Sequence, residues 1–197
     1  MSKYLFGFAS AEEQIAFAIL FIVYWGSEGV FGARMRARSS GDRTDDRGSL
    51  RLLSIVLPIA WWVGIAMISV QRASFGNARI FGVGLILMAA GQLLRWWSIA
   101  TLGRMFTVTV SIREDHRLIE QGPYRFVRHP SYAAILLVHL GAGLCFGNAL
   151  TLAILVLPVA AALLYRMHVE EAVLVHELGP SYVDYMRRKR RLIPLLY

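Results

Sequence analysis

Long runs of apolar residues restrict this chain to a membrane fold more strongly than any other feature of its sequence. The hydrocarbon core of a bilayer is about 30 Å thick, so a helix that crosses it needs roughly 20 mostly apolar residues. Five stretches meet or approach this length: residues 15–31, 52–70, 80–102, 132–146 and 150–165. Only "GNA" at 147–149 separates the last two stretches, which predicts that they form a helical hairpin.

The composition supports the same class of protein. Hydrophobic residues make up 56% of the 197 residues, and the mean hydropathy of +0.51 lies above the range of ordinary soluble domains. The only cysteine, Cys145, lies in an apolar stretch, so the sequence offers neither a disulfide framework nor a cysteine-based metal site. We predict an all-α integral membrane protein with one domain over residues 1–197, about five transmembrane helices and a cytoplasmic C-terminal helix.

The basic residues predict how the chain is oriented. The link at 33–51 carries six arginines, further arginines lie between the third and fourth stretches, and the tail contains "RRKRR" at 187–191. The positive-inside tendency places these three segments in the cytoplasm and the N-terminus outside. We expect a multi-pass protein of a prokaryotic inner membrane. The net charge is +8. Because the basic residues flank the spans, we expect them to bind membrane lipids, and we do not expect them to bind nucleic acid.

One polar motif, "GPYRFVRHPSY" at 122–132, lies against the start of the fourth apolar stretch. Pro130 lacks a backbone donor and suits the first turn of a helix, where that donor would be unpaired. Free amides at a helix start, an imidazole and two phenols would make a polar pocket at the membrane interface. The alternative is an ordinary interfacial belt, in which tyrosines and arginines anchor the helix.

A second motif, "YRMHVEEAVLVHELGPSYVDY" at 165–185, follows the last apolar stretch. Arg166 and Glu170 are four residues apart and share a helix face, so they either pair with each other or face one ligand. Glu171 lies on a neighbouring face. An acidic pair beside an apolar span is costly unless it is matched, which makes it a functional candidate, although a surface salt bridge remains open. His168 and His176 lack the further ligand that a zinc site needs, and no metal is expected.

The stretches 94–134 and 166–188 together resemble the isoprenylcysteine carboxyl methyltransferase family and, more distantly, the phospholipid N-methyltransferases. The resemblance covers about residues 94–194 and depends on the joint pattern RHPxY, RxxxEE and GxxYxxY. One departure is Ala134, where the family usually has glycine.

The resemblance implies a helical membrane enzyme whose active site faces the cytoplasm and binds S-adenosylmethionine, with S-adenosylhomocysteine as product and no metal. The residues that match the cofactor-binding positions of the family are His116, Arg117, Leu118, Ile119, Tyr124, His129, Pro130, Ser131, Tyr132 and Glu170. Arg166 matches the arginine that faces the methyl acceptor, so Arg166 and Glu170 are the predicted catalytic residues.

The implied reaction suits these residue types. Transfer of a methyl group from a sulfonium to a carboxylate yields neutral products, so the enzyme mainly aligns two groups and excludes water. A guanidinium offers a carboxylate a planar fork of donors, and a glutamate can bind the ammonium of the cofactor. We therefore predict carboxyl O-methylation of a prenylated cysteine or a related lipid-like acid by a monomer.

Three other functions remain open. A phospholipid or amine N-methyltransferase would need a general base to remove a proton from its acceptor. An NADPH-dependent membrane reductase is disfavoured by the RxxxEE motif. A non-enzymatic lipid-binding membrane protein is the simplest alternative.

The arginine distribution makes a direct prediction about topology. Gly41 and Tyr197 should lie on one side of the membrane, with Asn77 and Asn148 on the other. Single cysteines in a Cys145→Ser background, labelled with an impermeant maleimide, should show opposite accessibility for Gly41→Cys and Asn148→Cys. Labelling of both positions from the same side would contradict the five-span arrangement.

Overall fold

A computed structural model describes residues 10–38, 47–69, 74–103 and 118–193, with residues 34–38 as backbone only. These residues form six α-helices, two short 3-10 helices and isolated backbone bridges. The α-helices are α1 (Ala11–Arg38), α2 (Ser49–Ala66), α3 (Ala78–Leu102), α4 (Pro130–Phe146), α5 (Ala149–Leu178) and α6 (Pro180–Arg188). The 3-10 helices are Met67–Ser69 and Gly122–Arg125. The predicted all-helical class is confirmed for this part of the chain.

Within the described ranges, four helices are long and apolar enough to cross a membrane: α1, α2, α3 and α5. Helix α4 is apolar but has only 17 residues, which span about 26 Å at 1.5 Å per residue. The predicted fifth span therefore depends on this shorter helix and stays a prediction. Helix α2 ends at Ala66, before a 3-10 turn, and α5 continues beyond the apolar stretch to Leu178, so that Arg166 and Glu170 lie on one helix as predicted. The extension is possible because the charged residues after position 165 find partners.

The predicted hairpin is present between α4 and α5. Gly147 ends α4 with φ of 59°, a left-handed conformation that favours glycine. The Asn148 side chain then caps α5 by accepting hydrogen bonds from the backbone N–H groups of Leu150 at 3.0 Å and Thr151 at 3.1 Å. A two-residue connection of this kind forces the helices to run antiparallel and side by side.

Helices α3 and α4 pack closely because small residues face one another along their contact. A Cβ atom on Gly84 would lie 2.6 Å from the carbonyl oxygen of Gly141, and one on Gly91 would lie 2.9 Å from that of Ala134. Such small-residue contacts are typical of membrane helices, where van der Waals packing replaces the hydrophobic effect between helices. Ala134, the departure from the family pattern, is fully buried at this contact. Cys145 is buried at the same contact, beside Gly84.

Aromatic side chains attach α1 and α2 to this pair. Phe17 and Phe146 meet edge to face at 5.4 Å between centroids, and Phe21 and Trp61 do so at 5.0 Å. The Trp61 indole N–H donates to Nε2 of the fully buried His139 at 3.0 Å. Since that nitrogen accepts, the proton of the neutral imidazole lies on Nδ1, 2.7 Å from the carbonyl oxygen of Ile135. His139 is thus part of the core.

The glycine contact predicts unequal effects of two similar substitutions. Gly141→Ala should destabilise the protein by about 1–3 kcal/mol, because its Cβ would meet the Gly84 carbonyl oxygen at 2.6 Å and Met88 N at 2.8 Å. Gly82→Ala in α3 is the matched control, since its Cβ would meet nothing within 4 Å. Thermal unfolding in detergent should show a lower midpoint for Gly141→Ala alone, and equal midpoints for the two variants would contradict the close helix contact.

Candidate active site

The polar motif before α4 forms a turn that packs on the end of α3. Gly122 begins this turn with φ of 54°, and a Cβ there would lie 2.7 Å from Thr101 Oγ1, so glycine suits the site on both counts. Pro123 and Tyr124 are buried, and Pro130 is the first residue of α4, as predicted. The Tyr185 hydroxyl on α6 donates to the Tyr124 carbonyl oxygen at 2.7 Å and thereby fixes the turn from the opposite side.

Tyr132, in the first turn of α4, joins the two predicted catalytic residues on α5. Its hydroxyl donates to Glu170 Oε2 at 2.6 Å and accepts from Arg166 Nε at 2.9 Å. Arg166 and Glu170 share a helix face, as predicted, and the phenol of Tyr132 contacts both of them. Arg166 is also only 4% exposed, so the alternative of a surface salt bridge is wrong.

The Arg166 guanidinium also reaches the start of α2. Its Nη1 donates to the hydroxyl of Ser49 at 2.9 Å, and Ser49 is fully buried as the first residue of that helix. Hydroxyl groups of α2 and α4 therefore fix the plane of the guanidinium from two directions. Ser49 was not predicted as a site residue, because nothing in its local sequence distinguishes it from a helix start.

Glu171 has different partners from those of its neighbour Glu170. Its carboxylate lies 3.0 Å from His129 Nε2, 3.3 Å from Arg128 Nη2 and 2.8 Å from Arg191 Nη2. The adjacent acidic residues thus serve two clusters, one around Tyr132 and one around the histidine before α4.

The segment after α6 closes on the turn before α4. The backbone N–H of Arg128 donates to the Arg190 carbonyl oxygen at 2.8 Å, and that of His129 donates to the Arg191 carbonyl oxygen at 2.9 Å. Sequence reasoning missed this contact and treated the basic tail as a topology signal. The doubled glutamate was the available signal, since a second carboxylate beside the first needs cations of its own.

Ser131 has its hydroxyl against Nη1 of Arg95 on α3, and that guanidinium also binds Glu28 on α1. Neither Arg95 nor Glu28 was predicted as a site residue. The signal for both was a charged side chain inside an apolar stretch, which requires a partner in a membrane.

The predicted cofactor residues are brought together in part. Tyr124, His129, Pro130, Ser131 and Tyr132 lie in the turn and the start of α4, where Tyr132 contacts Glu170, His129 contacts Glu171 and Ser131 contacts Arg95. The rings of His129 and Tyr132 stack with centroids 5.4 Å apart. Leu118 and Ile119 are half-buried ahead of the turn, whereas His116 and Arg117 lie outside the described residues.

Tyr124 is a neutral phenol in this setting. Burial raises the pKa of its hydroxyl well above the ordinary value, and the nearby negative charge of Glu170 raises it further. A neutral phenol beside a carboxylate provides a hydrogen-bond donor without a second negative charge. Within the described residues, no group of three or more His, Cys, Asp or Glu side chains could hold a metal ion.

The sequence and the fold both have known relatives. Residues 84–176 match the isoprenylcysteine carboxyl methyltransferase (ICMT) family. Protein-S-isoprenylcysteine O-methyltransferase B of Arabidopsis thaliana is 32% identical over 119 residues, which are 59% of this chain and 60% of that protein. A probable protein-S-isoprenylcysteine O-methyltransferase of Oryza sativa subsp. japonica is 25% identical over 194 residues, which are 95% of this chain and 99% of the relative.

A solved structure shares the architecture. The eukaryotic intramembrane Ras methyltransferase ICMT superposes with a TM-score of 0.57 and 25% identity, over 72% of this chain and 52% of that protein. The chain therefore spans about half the length of its structural relative. The matched residues 84–176 contain Tyr132, Arg166 and Glu170, and the alignment with the rice relative extends almost from end to end. The chain is therefore similar to the isoprenylcysteine carboxyl methyltransferase family in sequence over residues 84–176 and in overall fold.

Proposed function

We propose that this protein is an S-adenosylmethionine-dependent membrane methyltransferase that methylates the carboxylate of a prenylated cysteine or a related lipid-like acid. The observation that carries the proposal is the Tyr132 hydroxyl, which holds a buried arginine and a glutamate side by side at the start of α4. The curated relatives support the substrate class, since their names describe isoprenylcysteine O-methyltransferases.

The Glu170 carboxylate and the Tyr124 hydroxyl suit the polar groups of S-adenosylmethionine. Glu170 uses Oε2 for Tyr132, and Oε1 accepts no hydrogen bond from the residues that the structure describes. That oxygen can accept a hydrogen bond from the cofactor's ammonium group, and the neutral Tyr124 phenol can donate one to an acceptor atom of the cofactor. When bound, the cofactor supplies a methyl group on a positively charged sulfur. His129, Pro130, Leu118 and Ile119 remain proposed wall residues.

Arg166 is the proposed binding residue for the acceptor carboxylate. Its guanidinium has a fixed orientation, because Ser49 and Tyr132 hold Nη1 and Nε. A planar, permanently charged fork binds a carboxylate in a defined direction, which a flexible ammonium cannot do. Tyr132 thus links the cofactor side of the site to the acceptor side, and the site provides alignment and exclusion of water.

The membrane arrangement belongs to the same proposal. The arginine-rich tail packs on the start of α4, so the tail and the site lie at the same end of the helices. The positive-inside tendency assigns this end to the cytoplasm. With α4 as a fifth span, a lipid tail of the acceptor would extend into the bilayer while its carboxylate meets Arg166. We propose a monomer of one domain in a prokaryotic inner membrane, in contact with membrane lipids.

The cofactor assignment predicts a clear binding preference. Purified protein in detergent should bind S-adenosylhomocysteine and should not bind a nicotinamide dinucleotide. Isothermal titration calorimetry with both compounds measures the two affinities. The reverse preference would support the reductase alternative instead.

Separate roles for Arg166 and Glu170 predict different kinetic defects. Glu170→Ala should weaken S-adenosylhomocysteine binding about tenfold or more, because a charged hydrogen bond is worth about 1.5–3 kcal/mol. Arg166→Ala should leave cofactor affinity nearly intact and lower the rate of methyl transfer to a prenylated cysteine. Arg166→Lys should be nearly as poor, because a point charge cannot replace the planar fork. Tyr132→Phe should impair both quantities, since its hydroxyl contacts both residues.

Two exposed residues provide matched controls for these variants. Glu177→Ala near the end of α5 and Arg187→Ala on α6 remove the same charges from largely solvated positions, where little loss is expected. Calorimetry with S-adenosylhomocysteine and initial rates with labelled cofactor measure affinity and transfer. Equal and small losses in all four substitutions to alanine would contradict the division of roles.

A further inference from the structure

An ion pair between a buried arginine and a half-buried glutamate joins α1 and α3. The Arg95 guanidinium binds the Glu28 carboxylate at two points, with 2.7 Å from Nε to Oε1 and 2.9 Å from Nη2 to Oε2. The side chains are 9% and 24% exposed. Charges at such positions are costly in a membrane protein and often serve a function. Glu28 also lies outside residues 84–176, the part that matches the family.

The third nitrogen of Arg95 reaches α4. Nη1 is in close contact with the hydroxyl of Ser131 and lies 3.5 Å from the carbonyl oxygen of the same residue. All three guanidinium nitrogens are therefore used, two for Glu28 and one for Ser131. A lysine could not make these contacts together, because it offers a single nitrogen at the end of a flexible chain.

Helix α1 has other contacts that attach it to the bundle. One turn before Arg95, Gln92 Nε2 donates to the Ser27 hydroxyl at 3.1 Å, and Phe17 and Phe21 pack on Phe146 and Trp61. These contacts also hold α1 in place, so the ion pair between Glu28 and Arg95 is not needed for that purpose alone. Its particular contribution is the contact with Ser131, which precedes Tyr132 in the chain.

We propose that Glu28 and Arg95 are positioning residues for the active site. Glu28 orients the guanidinium of Arg95, and Arg95 holds Ser131, so the first turn of α4 presents the Tyr132 hydroxyl to Arg166 and Glu170. The role in catalysis rests on the proposed function. Ser131 then acts through Arg95 and the backbone, in place of the direct cofactor contact expected from the sequence. Helix α1 becomes part of the catalytic structure.

The test compares Glu28→Gln and Arg95→Lys with substitutions of the same kind on the same two helices. Glu12→Gln in the first turn of α1 and Arg79→Lys in the first turn of α3 are the controls, since both residues are exposed. We expect the first two variants to lower kcat for methyl transfer to a prenylated cysteine by between about tenfold and 100-fold, as misplaced reacting groups do. The controls should retain the rate of the unsubstituted protein.

A spectroscopic probe at position 132 tests the positioning directly. With 3-fluorotyrosine incorporated only at position 132, the ¹⁹F resonance should shift in Glu28→Gln and Arg95→Lys and stay unchanged in both controls. An unchanged resonance in the first two variants would overturn the proposal, whatever their activity. A shifted resonance with unchanged kcat would also overturn the role in catalysis. If the unsubstituted protein neither binds S-adenosylhomocysteine nor transfers a methyl group, the proposed function fails, while the resonance still decides the structural part.

Ser131→Ala provides a second route if either charge variant does not fold. This change removes the contacted hydroxyl and leaves the ion pair intact, so it should shift the same resonance and lower kcat without a large loss of thermal stability. An unchanged resonance and an unchanged kcat in folded Ser131→Ala would overturn the proposal.

Discussion

The close contact between α3 and α4 is the constraint on which the site depends. Gly84 and Gly91 let the backbone of α4 approach α3, and α4 in turn presents Tyr132 to Arg166 and Glu170 on α5. Lipid does not drive helices together through the hydrophobic effect, so packing of small residues and polar contacts must determine the arrangement. A displaced α4 would separate all the polar groups that meet at its first turn.

Three sets of charged and hydroxyl groups converge on that turn. Arg166 and Glu170 meet the Tyr132 hydroxyl, Glu171 meets His129 and the tail arginine, and Arg95 joins Ser131 to Glu28. Each set satisfies charges that would be costly beside lipid if they had no partners. The turn is consequently held from α1, α3, α5 and the segment after α6, which suits a site that must align two reactants.

Sequence patterns predicted much of the fold because membrane helices can be recognised in a sequence as long apolar stretches. The five apolar stretches correspond to α1 through α5, and Pro130 starts α4 as its backbone chemistry suggests. The spacing of Arg166 and Glu170 also predicted helical structure beyond the last apolar stretch, which α5 confirms. Helix α5 can continue past residue 165 because Arg166, Glu170 and Glu171 find partners in other parts of the fold. A local pattern cannot indicate a partner that is distant along the chain.

By itself, the sequence determined the helical class, the helix start at Pro130 and the motifs that contain Tyr132, Arg166 and Glu170, since each depends on local composition and spacing. Only the tertiary structure decided which charges meet. It placed the Tyr132 phenol between Arg166 and Glu170, directed Glu171 to the tail and joined Glu28 to Ser131 through Arg95. The physical reason is that electrostatic and hydrogen-bond partners are selected by distance in space, and helix packing sets those distances between residues far apart in the chain.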